Sequence, residues 1–148
     1  MSWTRFLLPP FLTILCIALS FFASQYFGGN IPITTHWLGF LIIIIALFNI
    51  MRTARLIRSN KTTVNTFKGS SYFIKTGPFR YSRNPIYLGF LMILIGIGLL
   101  YGTFSGFVGA LIFYLVADFW YIPFKENKLG KMFGEEYLEY KRNVRRWI

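Results

Sequence analysis

The sequence predicts an all-α integral membrane protein with four transmembrane helices and an amphipathic helical segment at its C-terminus. Hydrophobic residues make up 55% of the 148 residues, and charged residues only 14%, against about 25% in typical soluble domains. The apolar residues form runs too long for a soluble domain of this size to bury. The basic residues are grouped in alternate loops, as they are in membrane proteins.

Four apolar stretches are each near the roughly 20 residues that a helix needs to cross a bilayer. We treat the chain as a single domain, residues 1–148, in which a connector and a tail flank the last helical hairpin. The predicted membrane helices cover residues 6–26, 35–58, 85–101 and 104–124, the connector covers 59–84, and the tail covers 125–148.

The distribution of charge predicts the orientation. Residues 52–83 carry eight Lys and Arg and no acid, residues from Lys125 onward carry seven more, and the turns near residues 27–34 and 101–103 are uncharged. The positive-inside rule therefore places both termini and the connector in the cytosol. This arrangement accounts for most of the net charge of +11. It indicates anionic lipid head groups, not nucleic acid, as the partner of the basic face.

Several classes of site are not indicated by the sequence. Cys16 is the single cysteine and lies inside an apolar run, so it forms no intramolecular disulfide and has no metal-ligand neighbours. His36, the single histidine, falls on the outer side and is expected to anchor the interface with Trp37. The short motifs of metal, phosphate and dinucleotide sites are absent, and no metal is expected. The first apolar run is too long for a cleavable signal peptide.

The segment GPFRYSRNPIYLG, residues 77–89, leads into the third apolar stretch. Asn84 suits an N-cap and Pro85 the first helical position, so this pair predicts the start of the helix. That function does not explain Arg80, Arg83 and Tyr87. The N-terminus of a helix also attracts anions, and a carboxylate or phosphate docked there would gain from the charge of Arg83.

Two acids are candidates for chemistry. Glu126 follows the fourth apolar stretch at the expected depth of Asn84 and is either a surface acid among lysines or a carboxylate that receives an ammonium group. Asp118 stands near the cytosolic end of the fourth helix, where an acid is a functional candidate; it is alternatively a packing partner for Arg52, Arg55 or Arg83.

Aromatic residues and the tail complete the cytosolic side. Four rings lie at this depth, where they form an interfacial belt or stack on a purine or a sulfonium: Tyr81, Tyr87, Trp120 and Tyr121. The tail LGKMFGEEYLEYKRNVRRWI has apolar residues near helical spacing. We expect it to lie on the membrane surface and to be broken at Gly130 and Gly134.

Three features follow one another in the C-terminal part of the chain: GPFRYSRNPIYLG, an apolar hairpin and KENKLGKMFGEEYLEYKRNVRRW. Together they resemble the isoprenylcysteine carboxyl methyltransferase and phospholipid methyltransferase superfamily. The resemblance covers roughly residues 60–148 and is close to the short bacterial members. It implies methyl transfer from S-adenosylmethionine, at the cytosolic face of a bacterial inner membrane. The implied acceptor is a lipid or other hydrophobic molecule that bears an amine, carboxylate or thiol.

The resemblance also implies roles for residues. Arg80 and Arg146 would hold a phosphate or carboxylate of the acceptor. Arg83, Asp118 and Glu126 would take part in catalysis, and either acid would help an amine acceptor to lose its proton. The implied cofactor-binding residues are Gly77, Tyr81, Asn84, Pro85, Tyr87, Leu88 and Glu126.

Two positions depart from the family pattern. Asn84 replaces the histidine of the carboxyl methyltransferases, which excludes an imidazole base there, and Lys125 replaces the first acid of a pair. Lys125 favours an alternative in which the protein keeps the fold without being an enzyme. A nicotinamide-dependent reductase is a further alternative, because sterol reductases share a similar C-terminal signature. The oligomeric state stays open.

Overall fold

The computed structural model describes residues 4–27, 29–32, 35–60 and 73–148, with side chains from residue 9 onward, so residues 61–72 of the predicted connector lie outside the described residues. The described parts are helical, and an isolated β-bridge joins Asn30 to Thr103. Short 3₁₀ turns cover Gly77–Arg80 and Phe104–Phe107, and a π-helical turn covers Ala117–Tyr121. The α-helices are α1 Thr4–Tyr26, α2 His36–Ser59, α3 Pro85–Tyr101, α4 Val108–Val116, α5 Ile122–Phe133 and α6 Glu135–Asn143.

Three apolar helical stretches of the described chain are long enough to cross a membrane: Pro9–Tyr26, His36–Ser59 and Phe104–Phe133. The shorter α3 is a fourth apolar helix, of 17 residues. The prediction of an all-helical protein with apolar helices of membrane length is therefore confirmed for the described residues, with three or four helices that could span a membrane.

The last long helix continues past the predicted membrane span, into the residues predicted as the tail. This helix continues to Phe133 instead of ending at residue 124. Gly130 lies inside α5, whereas Gly134, with a φ of +53°, separates α5 from α6. The positive φ favours glycine, so only the second of the two predicted breaks occurs. The tail thus begins as a rigid extension of the apolar helix.

α3 lies centrally and packs against α1, α2 and α4, and α1 also packs against α4. Glycine makes these contacts close. A Cβ added at Gly96 would lie 2.8 Å from the carbonyl oxygen of Gly39 on α2. A Cβ at Gly109 would meet the backbone of Cys16 on α1, and the Gly109 N–H donates to Ser20 Oγ at 3.0 Å. Small residues that let backbones approach are typical of helix packing in membranes.

The two uncharged turns meet at one end of the bundle. The Ile31 N–H donates to the Gly102 carbonyl at 2.7 Å, and the Phe104 N–H donates to the Gly29 carbonyl at 3.0 Å. The Ser105 hydroxyl adds a bond to the Phe27 carbonyl at 2.7 Å. Both turns therefore lie on the same side, and the basic residues before α3 and after α5 lie at the opposite end.

The π-helical turn sets the phase of α5. Phe113, Ala117, Ile122 and Glu126 are all buried, with spacings of four, five and four residues. The five-residue step is the π turn, which absorbs one extra residue and keeps all four on one face. Without it, Glu126 would be rotated by about 100°. Pro123 lies two residues after the π turn, at the second position of α5. Because proline lacks an N–H and clashes with the preceding turn, it accounts for a widened turn at this point.

Candidate functional site

The C-terminal strap, residues 144–148, follows α6 and lies along the loop that precedes α3. The Arg83 N–H donates to the Arg145 carbonyl at 3.1 Å. The Asn84 side-chain amide and the Ser82 hydroxyl donate to the Arg146 carbonyl at 3.1 and 3.4 Å. These bonds place the side chains that follow α6 directly against the start of α3.

Trp147 fixes the other side of the strap. Its indole Nε1 donates to Asp118 Oδ1 at 2.9 Å, and its ring lies 5.4 Å from the ring of Tyr114. The side chain also packs against the core cluster that contains Phe113 and Ala117. The strap is therefore attached both to the loop before α3 and to the last apolar helix.

Glu126 is at the centre of the cluster and is only 5% exposed. Its Oε1 lies 2.9 Å from Arg83 Nη1, and its Oε2 lies 3.3 Å from Arg146 Nη2 and 3.6 Å from Lys141 Nζ. Three cationic side chains thus approach one carboxylate. The contact with Arg83 is a close ion pair without hydrogen-bond alignment, because Glu126 Oε1 and Arg83 Nη1 are buried without a hydrogen-bond partner.

Asp118 forms its ion pair with Arg146, whose Nη1 lies 3.1 Å from Asp118 Oδ1. The sequence-based pairing with Arg52, Arg55 or Arg83 was wrong, since the partner lies on the strap. Arg146 bridges Asp118 and Glu126. Burial alone would lower the pKa of Arg146, but its hydrogen bonds to Asp118 and Glu126 outweigh this and raise it, so the guanidinium stays charged.

Asn84 is buried and precedes α3, but its side chain does not cap the helix. Its amide nitrogen donates to the strap, and its Oδ1 accepts a hydrogen bond from Lys125 Nζ at 3.0 Å. Lys125 Nζ also reaches the Arg83 carbonyl at 3.4 Å and lies 5.8 Å from the centre of the Tyr87 ring. Asn84 thus occupies the N-cap position, as predicted, but its side chain makes no capping hydrogen bond, and Lys125 ties α5 to the start of α3.

Pro85 does occupy the first position of α3, as predicted. It is buried, and its carbonyl accepts a hydrogen bond from Asn49 Nδ2 at 2.7 Å, which ties this end of α3 to α2. Leu88 lies half-buried in the first turn of α3. Tyr87 lies beside Tyr121, with ring centres 6.4 Å apart, and the hydroxyl of Tyr121 is buried without a hydrogen-bond partner.

Three predicted residues belong to the neighbouring 3₁₀ turn. Gly77 begins this turn with a φ of +63°, and Arg80 ends it with an exposed side chain. Tyr81 follows and is 74% exposed. The structure therefore brings together Arg83, Asn84, Asp118, Glu126 and Arg146, while it places Gly77, Arg80 and Tyr81 on the adjacent turn.

α6 contributes residues that the sequence analysis did not assign to the site. The Tyr140 hydroxyl donates to the Phe79 carbonyl at 2.6 Å, and Lys141 approaches Glu126. Burial and the charge of Glu126 raise the pKa of Tyr137 to about 12, against the opposing effect of Arg83. Tyr137 therefore keeps its proton at neutral pH. The spacing of Tyr137 and Tyr140 was visible in the segment that carries the family resemblance, but neither residue was assigned to the site.

No group of three or more His, Cys, Asp or Glu side chains suited to a metal occurs in the described part of the chain.

Among curated proteins, an uncharacterized protein from Haemophilus influenzae is 40% identical over 63 residues, which are 43% of this chain and all of that protein. Methanethiol S-methyltransferase from Pseudomonas deceptionensis is 27% identical over 128 residues, which are 79% of this chain. This chain spans 44% of the length of that enzyme.

No solved structure matches the chain. Residues 34–136 match the model of the phospholipid methyltransferase family. The match contains the loop before α3, the last apolar helix and Glu126, and it covers well over half of the sequence. The chain therefore belongs to the phospholipid methyltransferase family, which indicates a membrane methyltransferase with a membrane-associated acceptor.

Proposed function

We propose that this protein transfers a methyl group from S-adenosylmethionine to a lipid or other hydrophobic acceptor at the cytosolic face of the membrane. The observation that carries the proposal is the meeting of Arg83, Asn84 and Glu126 where the start of α3 contacts α5 and the strap. These residues lie at the end of a bundle of apolar helices, where a water-soluble cofactor and a lipid acceptor would meet.

The side chains present suit the functional groups of the cofactor. Glu126 Oε1 is a buried acceptor without a hydrogen-bond partner and suits the ammonium group. Lys125 and the start of α3, where no side chain caps the helix, suit the carboxylate. The paired rings of Tyr87 and Tyr121 suit the purine or the sulfonium.

S-adenosylmethionine supplies an electrophilic methyl group on a sulfonium. The residues of the chain would hold the acceptor in line with that group and exclude water. A thiolate or carboxylate acceptor needs no base, whereas an ammonium must first pass a proton to a carboxylate such as Asp118 or Glu126. Arg80 and Arg146 would attract an anionic group of the acceptor.

The orientation and location belong to the same proposal. Both termini and the basic connector face the cytosol, four helices including α3 span a bacterial inner membrane, and residues 1–148 act as one domain. The family description favours a phospholipid acceptor. The name of the Pseudomonas relative favours a thiol, so both classes of acceptor enter the test.

Calorimetric titration of detergent-purified protein with S-adenosylmethionine and S-adenosylhomocysteine tests the cofactor. We expect saturable binding that is lost in Glu126→Gln and kept in Glu139→Gln, an exposed acid on α6. Labelled-methyl transfer into lipid extracts and small thiols then identifies the acceptor. A folded wild-type protein that binds neither ligand would refute the cofactor. Unchanged binding by a folded Glu126→Gln variant would refute the site.

A further inference from the structure

We propose that Lys141 is an internal competitor for the ammonium group at Glu126 and thereby limits the affinity for the amino-acid end of the cofactor. The inference depends on the proposed function, because it assumes that Glu126 receives that ammonium. It starts from the observation that the carboxylate already has cationic neighbours from three parts of the chain: the loop before α3, α6 and the strap.

The three cations are held unequally. The Arg83 side chain is 9% exposed, so it cannot move away from Glu126 without repacking. Arg146 is held by Asp118, and its backbone is bonded to the loop before α3. The Lys141 side chain is 46% exposed, and its Nζ has the longest of the three distances, 3.6 Å. Lys141 is therefore the cation that an arriving ammonium displaces most easily.

Charge makes this displacement favourable. Arg83, Lys125, Lys141 and Arg146 contribute four positive charges, while Asp118 and Glu126 contribute two negative ones. An ammonium that enters such a cluster is repelled by the excess of cations. If Lys141 moves into water, it removes one of these charges and leaves Arg146 as the remaining cation at Glu126 Oε2. Lys141 and the ammonium group thus compete for one carboxylate.

This competition predicts that a loss of charge at Lys141 strengthens binding, whereas the loss of a binding residue weakens it. Because Lys141 is partly exposed, its charge is screened, and we expect Lys141→Gln to bind S-adenosylhomocysteine about threefold more tightly. The effect requires the ammonium. We therefore expect no change for 5′-methylthioadenosine, which has the purine and the sulfur but not the amino-acid end.

The experiment is calorimetric titration of the full chain with both ligands. Arg142→Gln is the matched control, because it removes the same charge from the neighbouring exposed position of α6. Lys141→Arg keeps the charge and should bind like the wild type. Thermal unfolding monitored by circular dichroism shows that each variant is folded.

Tighter binding of S-adenosylhomocysteine in Lys141→Gln alone supports the competition. Weaker or unchanged binding in that variant overturns it, as does an equal gain in Arg142→Gln or an equal gain for 5′-methylthioadenosine. In each of these cases the wild type still binds, so the proposed function stands. Failure of both the wild type and Lys141→Gln to bind overturns the proposed function together with the inference.

Discussion

Replacement of Glu126 by glutamine should destabilise the protein through Arg83. The two side chains are 6% and 9% exposed and are 2.9 Å apart. Arg146 would keep Asp118, and Lys141 can turn to water, but no other carboxylate contacts Arg83 in the part of the chain that the structure describes. The removal of one partner from a buried ion pair costs about 3–5 kcal/mol, because it leaves the other charge buried without compensation.

For a chain of this size, 1 kcal/mol corresponds to a shift in Tm of roughly 3 °C, so 3–5 kcal/mol corresponds to a loss of about 9–15 °C. Thermal unfolding in detergent, followed by circular dichroism, measures this shift. Glu139→Gln removes an exposed acid and should change the stability by no more than about 0.5 kcal/mol. The double variant Arg83→Met with Glu126→Gln removes both charges and should recover much of the loss.

The double-mutant cycle gives the decisive number. A coupling of about 2 kcal/mol or more between the two positions is expected for groups in direct contact. If the single losses simply add, Arg83 does not depend on Glu126 for its compensation. If Glu126→Gln is as mild as Glu139→Gln, the description of Glu126 as a buried partner is wrong.

Two other predictions concern packing and orientation. A Cβ at Gly96 would lie 2.6 Å from Ile43 Cγ1, whereas the nearest atom to a Cβ at Gly130 is 3.7 Å away. Gly96→Ala should therefore lower the Tm, and Gly130→Ala should raise the stability by up to about 1 kcal/mol. The opposite order of stabilities would contradict the close packing of α2 on α3. In a Cys16→Ser background, a membrane-impermeant maleimide should label Asn30→Cys in intact cells and Ser59→Cys only after permeabilisation, and the reverse pattern would invert the proposed orientation.

Hydropathy predicted the apolar helices because their boundaries are set by short uncharged turns and by the Asn84-Pro85 start. It did not indicate how far the last helix continues past residue 124, because Lys125, Glu126 and Lys128 resemble a solvated tail. The helix continues because the π turn aligns Glu126 with the buried face. Pro123 was a visible indication of a widened turn, but the sequence does not show on which side of the proline an extra residue is absorbed.

The sequence identified residues that the structure places together, Arg83, Asn84 and Glu126, but not the groups that they contact. Asn84 was expected to cap α3, and Asp118 to pair with an arginine before α3. Both contact the strap instead, at separations of 62 and 28 residues. Contacts over such distances depend on how the tail folds back, and no local pattern encodes this. The capping preference of Asn84 is overridden because Arg146 and Lys125 provide its amide with an acceptor and a donor.

The substitution of lysine for the first acid of the pair has a structural consequence that the sequence alone did not suggest. Neighbouring residues on an α-helix point about 100° apart, so Lys125 and Glu126 face different partners. Lys125 reaches the Asn84 side chain and the Arg83 carbonyl, whereas Glu126 reaches the Arg83 guanidinium, α6 and the strap. An acid at position 125 would face the Asn84 Oδ1 and the Arg83 carbonyl, both of which are hydrogen-bond acceptors. Lysine satisfies these acceptors, so the departure from the family pattern is compatible with an intact site.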